Sequence, residues 1–326
     1  MIISRTPLRA SFAGGGTDFP DFYHLDYGAV VSTTMNRYIY ITVNKKFDDH
    51  IRVSYSKTEV VESVEQIEHN IIREALIIVG IKKGIEIVYM GDIPLGSAGI
   101  GLGSSSSLAV GVLNALYAFK GEHVSAERLA REACKIEIDI LKYPIGKQDQ
   151  YAVAYGGFNY YQFNKDESVY VDPIIYYKKT KEELNRKLLL FYTGIARVSS
   201  DILEGQKRNT TKNFEYLRKI AALAKELRKR LIKNDLNSFG EILHEGWLLK
   251  KKLAHGISND KINESYEKAR KAGAIGGKIL GAGGGGFLLL YCEEKNQDKV
   301  RKALSYFKET PFEFEPQGSK IIYVSD

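Results

Sequence analysis

Near the start of the chain, apolar residues come in short runs rich in β-branched and aromatic side chains, a pattern typical of strands. Strands are therefore predicted at 2–4, 29–34, 38–44 and 51–54. In the second half, apolar residues recur every three or four positions, which is the spacing of an amphipathic helix. Long helices are predicted there at 213–232, 236–253 and 259–272. The chain thus begins with strands and becomes rich in helix.

A further apolar helix is predicted directly behind a cluster of glycines and serines. Leu108, Val112 and Leu116 recur at helical spacing and form one apolar face. The cluster comprises Gly99, Gly101, Gly103, Ser104, Ser105, Ser106 and Ser107. Glycine lets a ligand approach backbone amides closely, and a helix start offers unpaired N–H groups and a positive dipole end. The pattern favours a phosphate site. The alternative is an ordinary helix whose serines cap its first amides.

The other elements follow from the same reasoning. Helices are predicted at 65–79, at 126–141 behind a capping Ser125, and at 301–307, with a closing strand at 321–324. The segment 165–187 is polar and charged. We place a domain boundary there, which divides the chain into domains 1–175 and 176–326.

Charge and composition narrow the class of protein. The 326 residues carry a formal net charge of +7, which favours anionic partners such as nucleotides or phosphorylated metabolites. Lysine and arginine are dispersed, so nucleic-acid binding is not expected. The two cysteines lie far apart, and the histidines show no metal-binding spacing, so we expect a reducing compartment and no transition metal. No apolar run is long enough for a signal peptide or a membrane span, and we expect a cytoplasmic protein without a membrane partner.

A second glycine-rich loop has the GxGxxG pattern at 281–286. A dinucleotide fingerprint of this form should follow a strand and open a helix. Here an apolar, strand-like run comes after it, so the loop is interpreted as a tight turn between packed elements. The GxxxxGK[ST] phosphate loop does not occur in the sequence.

Three motifs in order resemble those of the GHMP kinase family. They are RTPLRASFAGGGTDFPDFY near the start, PLGSAGIGLGSSSSLAVG in the middle and GKILGAGGGGFLLLY near the end. The segments PIGKQDQYAVAYGGFNYYQF and FYTGIARVSSDILEGQ are similar to the sugar-1-kinase branch of this family, which includes heptose 7-phosphate kinases and fucokinase-like proteins. The motifs span nearly the whole chain.

The resemblance implies an ATP site and a Mg²⁺ site. The residues expected to cradle the phosphates are Gly99, Gly101, Leu102, Gly103, Ser104, Ser105 and Ser106. Ser105 and Glu137 are expected to bind Mg²⁺, a hard cation that takes oxygen ligands. Glu137 and its neighbour Asp139 should face different sides of their helix. The alternative is that Glu137 is a surface charge.

The resemblance also implies a transfer and acceptor site. Asp149 is expected to act as general base, with Arg9 beside it, and Lys147 to contact phosphate; Asp149 could otherwise be a turn residue. Asp18 should bind sugar hydroxyls, positioned by Thr17 and the turn of Gly14, Gly15 and Gly16. Gly283 and Gly284 are assigned to the same substrate-binding set. Arg197, Lys207 and Arg208 are candidates for holding a distal substrate phosphate, with exposed helix charges as the alternative.

The implied fold is α+β in two domains. An N-terminal mixed α/β domain would carry the glycine-serine loop, a C-terminal ferredoxin-like domain would follow, and the active site would lie in the cleft between them. The implied reaction is ATP- and Mg²⁺-dependent phosphorylation of the anomeric hydroxyl of D-glycero-D-manno-heptose 7-phosphate, for nucleotide-activated heptose and surface polysaccharide. Other sugars (fucose, galactose or N-acetylhexosamine), a sensor without catalysis, and a homodimer remain open alternatives.

Overall fold

The computed structural model describes residues 1–93, 101–195 and 199–325, and they build two β-sheets covered by helices. The predicted α+β class is confirmed. The strands are β1 Ile2–Ala13, β2 Gly28–Lys45, β3 Ile51–Ser54, β4 Thr58–Val61, β5 Ile85–Gly91, β6 Phe158–Phe163, β7 Val169–Pro173, β8 Leu188–Tyr192, β9 Ala274–Ile279, β10 Phe287–Cys292, β11 Lys308–Glu309, β12 Phe314–Glu315 and β13 Lys320–Val324.

Along the chain, the helices alternate with the strands of the two sheets. They are α1 Pro20–Tyr23, α2 Asn70–Val79, α3 Ser104–Phe119, α4 Ala126–Cys134, α5 Gln148–Tyr155, α6 Lys178–Arg186, α7 Ser199–Arg208, α8 Phe214–Ile232, α9 Phe239–Lys250, α10 Asp260–Lys271 and α11 Glu294–Ala303. Among the residues that the structure describes, no helix is both long and apolar enough to cross a bilayer.

The first sheet is built around β1 and β2, which pair antiparallel along most of β1. Two separate strands were predicted where β2 runs unbroken, and this prediction is wrong. The register with β1 shifts where Pro7 pairs with Tyr38 and Leu8 with Met35, so two residues of β2 bulge out. The bulged Asn36 donates its backbone N–H to Glu313 O at 3.0 Å. The strand therefore continues through the interruption in its apolar pattern.

Helix α3 packs across β1 and β2 and fixes the glycine-serine loop against the sheet. A Cβ on Gly111 would lie 2.8 Å from Thr6 Oγ1, so the helix approaches β1 at a residue without a side chain. Ser4 Oγ donates to Gly111 O at 2.8 Å, and Ser107 Oγ donates to Pro7 O at 2.9 Å. These bonds hold the start of α3 beside the middle of β1.

The second sheet has the order β11-β8-β10-β9, antiparallel throughout. Numbered within the sheet, this is 4-1-3-2, with helices in both crossovers, as the predicted ferredoxin-like domain requires. The glycine loop after β9 joins two antiparallel strands, so the dinucleotide alternative is excluded by its context.

The end of the chain returns to the first sheet. Strand β12 pairs with β2, and β13 pairs with the outer edge of β1. The predicted division after residue 175 assigns β12 and β13 to the second domain. In the structure, both strands belong to the first sheet.

Three predicted helices have different bounds in the structure. The helix predicted at 65–79 is a short 3₁₀ turn, Val64–Gln66, followed by α2. The helix predicted behind Ser125 consists of α4 followed by a π-helical turn, Lys135–Ile140. Ser125 caps α4, as predicted, because its side chain accepts a hydrogen bond from Arg128 N. The helix predicted at 301–307 begins earlier, as α11.

Candidate active site

Strand β1 and the glycine-serine loop meet at Arg9. The backbone N–H of Arg9 donates to Leu102 O at 3.0 Å, and its Nη1 donates to Gly101 O at 2.6 Å. Leu102 itself is fully buried, so its side chain anchors the loop in the core. The loop is thereby held against a strand rather than projecting from the surface.

The guanidinium of Arg9 forms a bidentate pair with Asp149 at the start of α5. Its Nε donates to Asp149 Oδ1 at 2.7 Å and its Nη2 to Oδ2 at 2.6 Å. Arg9 is only 4% exposed, and such planar two-point pairs fix both partners in orientation. The structure thus brings together the two residues proposed for phosphoryl transfer.

The absence of a side chain at Gly103 leaves space for the Arg9–Asp149 pair. Its φ is +75°, and a Cβ there would lie 3.1 Å from Arg9 Cγ and 3.4 Å from Asp149 Oδ2. It also occupies the position before α3 without capping the first-turn amides through a side chain. Those amides therefore lie next to the Arg9–Asp149 pair, where an anion would be stabilised by the helix dipole.

Gly103 precedes the first turn of α3, and Ser105, Ser106 and Ser107 make other hydrogen bonds, so the alternative of a helix capped by these three serines is not supported. Ser104, the first helical residue, is half-buried. The hydroxyls of Ser105 and Ser106 donate to Glu137, with 2.7 Å between Ser106 Oγ and Oε2. Ser107 donates instead to backbone carbonyls. The hydroxyls of Ser105 and Ser106 therefore bind the carboxylate of Glu137 beside the start of α3.

Glu137 is completely buried, whereas Asp139 is exposed, so the interpretation of Glu137 as a surface charge is wrong. The π-helical turn carries both residues. Gln150 Nε2 also donates to Glu137, at 2.6 Å. Burial raises the pKa of Glu137 from 4.5 to about 7, against the hydrogen bonds from Ser105, Ser106 and Gln150.

This arrangement fits a hard divalent cation. Ser105 is exposed, Glu137 offers carboxylate oxygens, and no lysine or arginine of the described residues forms an ion pair with that carboxylate. A buried carboxylate without a cationic partner is unfavourable until a counter-charge arrives. The donor set is that expected for Mg²⁺.

Asp18 lies at the other side of the pair, in the loop after β1. Gly16 N donates to its Oδ1 at 3.1 Å, and Gln148 Nε2 donates to the same oxygen at 2.9 Å. Burial, followed by the charge of Asp149, raises the pKa of Asp18. A Cβ on Gly146 would lie 2.1 Å from Asp18 Oδ2, so the two loops interlock.

Thr17 fastens this loop to β2. Its hydroxyl donates to Gly14 O at 2.8 Å and to Ala29 O at 3.0 Å, and it accepts from Ala29 N. It is fully buried. A Cβ on Gly14 would lie 1.8 Å from Ala29 O, so this position also requires glycine.

Other proposed site residues lie elsewhere. The ammonium of Lys147 pairs with Glu167 and lies over the ring of Tyr23. Lys207 and Arg208 are exposed on the last turn of α7, as the alternative interpretation expected.

The third glycine motif packs inside the second domain. Gly284 N donates to Ile257 O at 2.7 Å, and a Cβ on Gly283 would lie 2.6 Å from the same oxygen. Gly99 and Arg197 fall outside the residues that the structure describes.

Sequence reasoning missed four polar residues near the site. Gln148 and Gln150 flank Asp149 and hold the carboxylates of Asp18 and Glu137. Lys250 and Lys278 come from the second half of the chain, and both are buried. A lone lysine within the apolar strand before the third glycine cluster was the signal that could have revealed Lys278.

Comparisons with known proteins show the family of the chain. The family models described as GHMP kinases N terminal domain and GHMP kinases C terminal match residues 64–157 and 220–309. The chain is 31% identical, over 93% of both chains, to the D-glycero-alpha-D-manno-heptose 7-phosphate kinase of Campylobacter jejuni. It is 26% identical to the galactokinase of Pyrococcus furiosus, over 93% of this chain and 92% of that one.

A solved structure described as a D-glycero-D-manno-heptose 1-phosphate kinase from Bacteroides thetaiotaomicron superposes with a TM-score of 0.82. The two chains are 28% identical, and the match covers 100% of each.

Proposed function

The chain belongs to the GHMP kinase family, whose members transfer phosphate to an alcohol group, and we propose that it phosphorylates the anomeric hydroxyl of D-glycero-D-manno-heptose 7-phosphate. Its relatives support an ATP-dependent sugar kinase. The observation that carries the proposal is the partly buried Arg9–Asp149 pair between the glycine-serine loop and Asp18.

In the proposed reaction, Asp149 orients the acceptor hydroxyl and receives its proton as the new P–O bond forms. Arg9 holds that carboxylate in place, and its charge lies next to the loop that would bind the ATP phosphates. Asp18 binds sugar hydroxyls. Ser105 and Glu137 would hold Mg²⁺, which supplies charge neutralisation on the phosphates when bound.

The two heptose relatives are described with phosphate at different positions, carbon 7 in one and carbon 1 in the other. The activity assay must therefore distinguish heptose 7-phosphate from heptose 1-phosphate as the acceptor. ADP release would be followed with ATP and Mg²⁺ against heptose 7-phosphate, heptose 1-phosphate, free heptose, fucose, galactose and N-acetylhexosamine. Turnover that is fastest on heptose 7-phosphate, with the product phosphorylated at carbon 1, supports the proposal.

A matched pair of variants tests the site. Asp149→Asn should reduce kcat by about a hundredfold or more, the usual contribution of a positioned acid or base. Asp139→Asn removes an exposed carboxylate on the π-helical turn and should leave kcat within about twofold, as expected for surface substitutions. Faster turnover of an unphosphorylated sugar would move the assignment to another sugar kinase. ATP binding without turnover of any acceptor would favour the alternative of a sensor protein without catalytic activity.

A further inference from the structure

Gln148 joins Asp18 to Asp149 and carries a buried oxygen that has no hydrogen-bond partner among the described residues. It opens α5 and directly precedes Asp149. Its backbone N–H donates to Asp18 Oδ2 at 3.2 Å, and its Nε2 donates to Asp18 Oδ1 at 2.9 Å. Its Oε1 is the buried atom without a partner. Gln148 therefore directs both of these donors at Asp18, and its side-chain acceptor is unused within the described chain.

The orientation of this amide follows from the groups around Asp18. Gly16 N donates to Oδ1 at 3.1 Å, and Gln148 N donates to Oδ2. These N–H donors oppose the rise in the pKa of Asp18 that burial causes. A carboxylate that accepts N–H groups on both oxygens binds the NH₂ end of a neighbouring amide rather than its oxygen. Nε2 therefore faces Asp18, and Oε1 is the end directed away from it.

Asp18 has little capacity left for a sugar. An ionised carboxylate offers about four acceptor positions. Oδ1 already accepts from Gly16 and from the Gln148 side chain, and Oδ2 accepts from the Gln148 backbone. About one position remains, on Oδ2, so Asp18 can take a single hydroxyl. A second hydroxyl of the acceptor needs another oxygen to receive it.

The unpartnered oxygen of Gln148 can fill that role. A buried acceptor that has lost water and gained no donor is unfavourable. Two of the five side-chain atoms in this condition among the described residues belong to Gln148 and Gln150, which flank Asp149. Gly15 places no side chain against the Gln148 amide, since a Cβ there would lie 3.9 Å from Nε2. The oxygen needs a donor, which a sugar hydroxyl supplies and an ionised phosphate does not.

We propose that Gln148 Oε1 is a second hydroxyl-binding position of the acceptor site. Together, Asp18 and Gln148 select a sugar that presents two hydroxyls besides the one that loses its proton to Asp149. This inference rests on the proposed function and deepens it, since it states which feature of the acceptor the site recognises. An acceptor that lacks the hydroxyl for Gln148 leaves Oε1 buried and unpaired, and it binds more weakly for that reason.

The first experiment uses the wild-type protein, so no folding defect can affect it. The value of kcat/KM is measured with ATP and Mg²⁺ for heptose 7-phosphate and for its four single-deoxy analogues, at carbon 2, 3, 4 or 6. At least two analogues should lose about five- to a hundredfold each, because each removes the donor for a buried acceptor. A loss with one analogue alone, or with none, would overturn the proposal.

The second experiment assigns the hydroxyls with Gln148→Met, which removes the amide at similar length. This variant should lose about five- to a hundredfold in kcat/KM on heptose 7-phosphate. It should lose nothing further on the analogue that lacks the Gln148 hydroxyl, because the contact is already absent. Asp18→Asn, measured on the same series, identifies the hydroxyl that Asp18 binds. Gln162→Met is the matched control: it changes a half-buried glutamine of β6 and should stay within about twofold.

Two different carbons for Gln148 and Asp18 support the proposal. The same carbon for both would overturn it, because Gln148 would then act only by holding Asp18 in place. An unchanged kcat/KM in Gln148→Met would overturn it too, as would a loss that no analogue abolishes, which indicates a general disturbance of the site.

Both series are made on the sugar that turns over fastest, which we expect to be heptose 7-phosphate. Faster turnover of galactose or fucose would overturn the proposed function, and the deoxy series of that sugar would still decide the role of Gln148. For a sugar that binds without turnover, calorimetric titration gives the same comparison through Kd. A wild-type protein that binds none of these sugars would overturn both proposals.

Discussion

The buried carboxylate of Glu137 should make the metal-free protein less stable as pH rises. Its pKa is raised from 4.5 to about 7 by burial, so between these values the native state holds a proton that the unfolded chain has released. The native state therefore binds more protons, and the free energy of unfolding falls as pH increases through this window. One pKa unit corresponds to about 1.4 kcal/mol.

Between pH 5 and pH 8 the expected loss attributable to Glu137 is about 2–3 kcal/mol, obtained by integrating its titration in the two states. Glu137→Gln cannot titrate and should lack this slope. Its altered hydrogen bonds with Ser105, Ser106 and Gln150 add a term that does not depend on pH. The buried Oε1 of Gln150 has no partner among the described residues, and a flipped Gln150 amide could accept from the new side chain.

The assay is urea unfolding of the two proteins at a series of pH values, in the presence of chelator and without nucleotide. The wild-type minus variant difference in unfolding free energy should fall by about 2–3 kcal/mol from pH 5 to pH 8. Asp18 and every other titrating group are common to both proteins, so the difference isolates Glu137. Parallel curves would refute the reasoning, because they would show that the carboxylate is solvated or already paired.

Four further substitutions, one of them a control, test individual contacts. Gly103→Ala and Gly121→Ala both place alanine at positive φ, and each should lower the free energy of unfolding by about 1 kcal/mol. Because nothing lies within 4 Å of a Cβ on Gly121, only Gly103→Ala should also reduce kcat. Equal kcat values for the two variants would contradict this. Gly146→Ala should displace Asp18 and raise the sugar KM while leaving the ATP KM unchanged, and steady-state kinetics with an unaltered sugar KM would argue against that role. Thr17→Val should lower the free energy of unfolding by about 1–3 kcal/mol because a buried hydroxyl with three hydrogen bonds is lost; a smaller loss in urea unfolding would show that the loop is anchored elsewhere.

Local signals allowed much of the site to be predicted. The glycine-serine cluster and the apolar spacing behind it indicated that a helix starts at the four serines, because both are properties of neighbouring residues. Motif order, supported by resemblance, selected Arg9, Asp18 and Asp149. The structure brings these three residues together around the loop.

Contacts between distant segments could not be predicted from the sequence. Capping of nearby amides by the serines was the alternative that the local residues offered, and only the resemblance paired Ser105 with Glu137. In the structure, Ser105 and Ser106 donate to the Glu137 carboxylate from another helix. The burial of Glu137 depends on a π-helical turn, which shifts the face that the ordinary helical repeat would give. Lys250 and Lys278 lie next to the first glycine loop only because α9 and β9 pack against the end of β1.

The pairing of β13 with β1 has a consequence for how the protein is made. Strand β1 carries Arg9 and is synthesised long before β13, which covers one of its edges. Until that strand emerges, the edge exposes unpaired backbone groups that can associate with other chains. Pairing across so great a sequence separation is also slow. Completion of the sheet that holds the phosphoryl-transfer residues is thus a late event in folding, and a chain stalled before β13 would carry every proposed catalytic residue without a finished support for them.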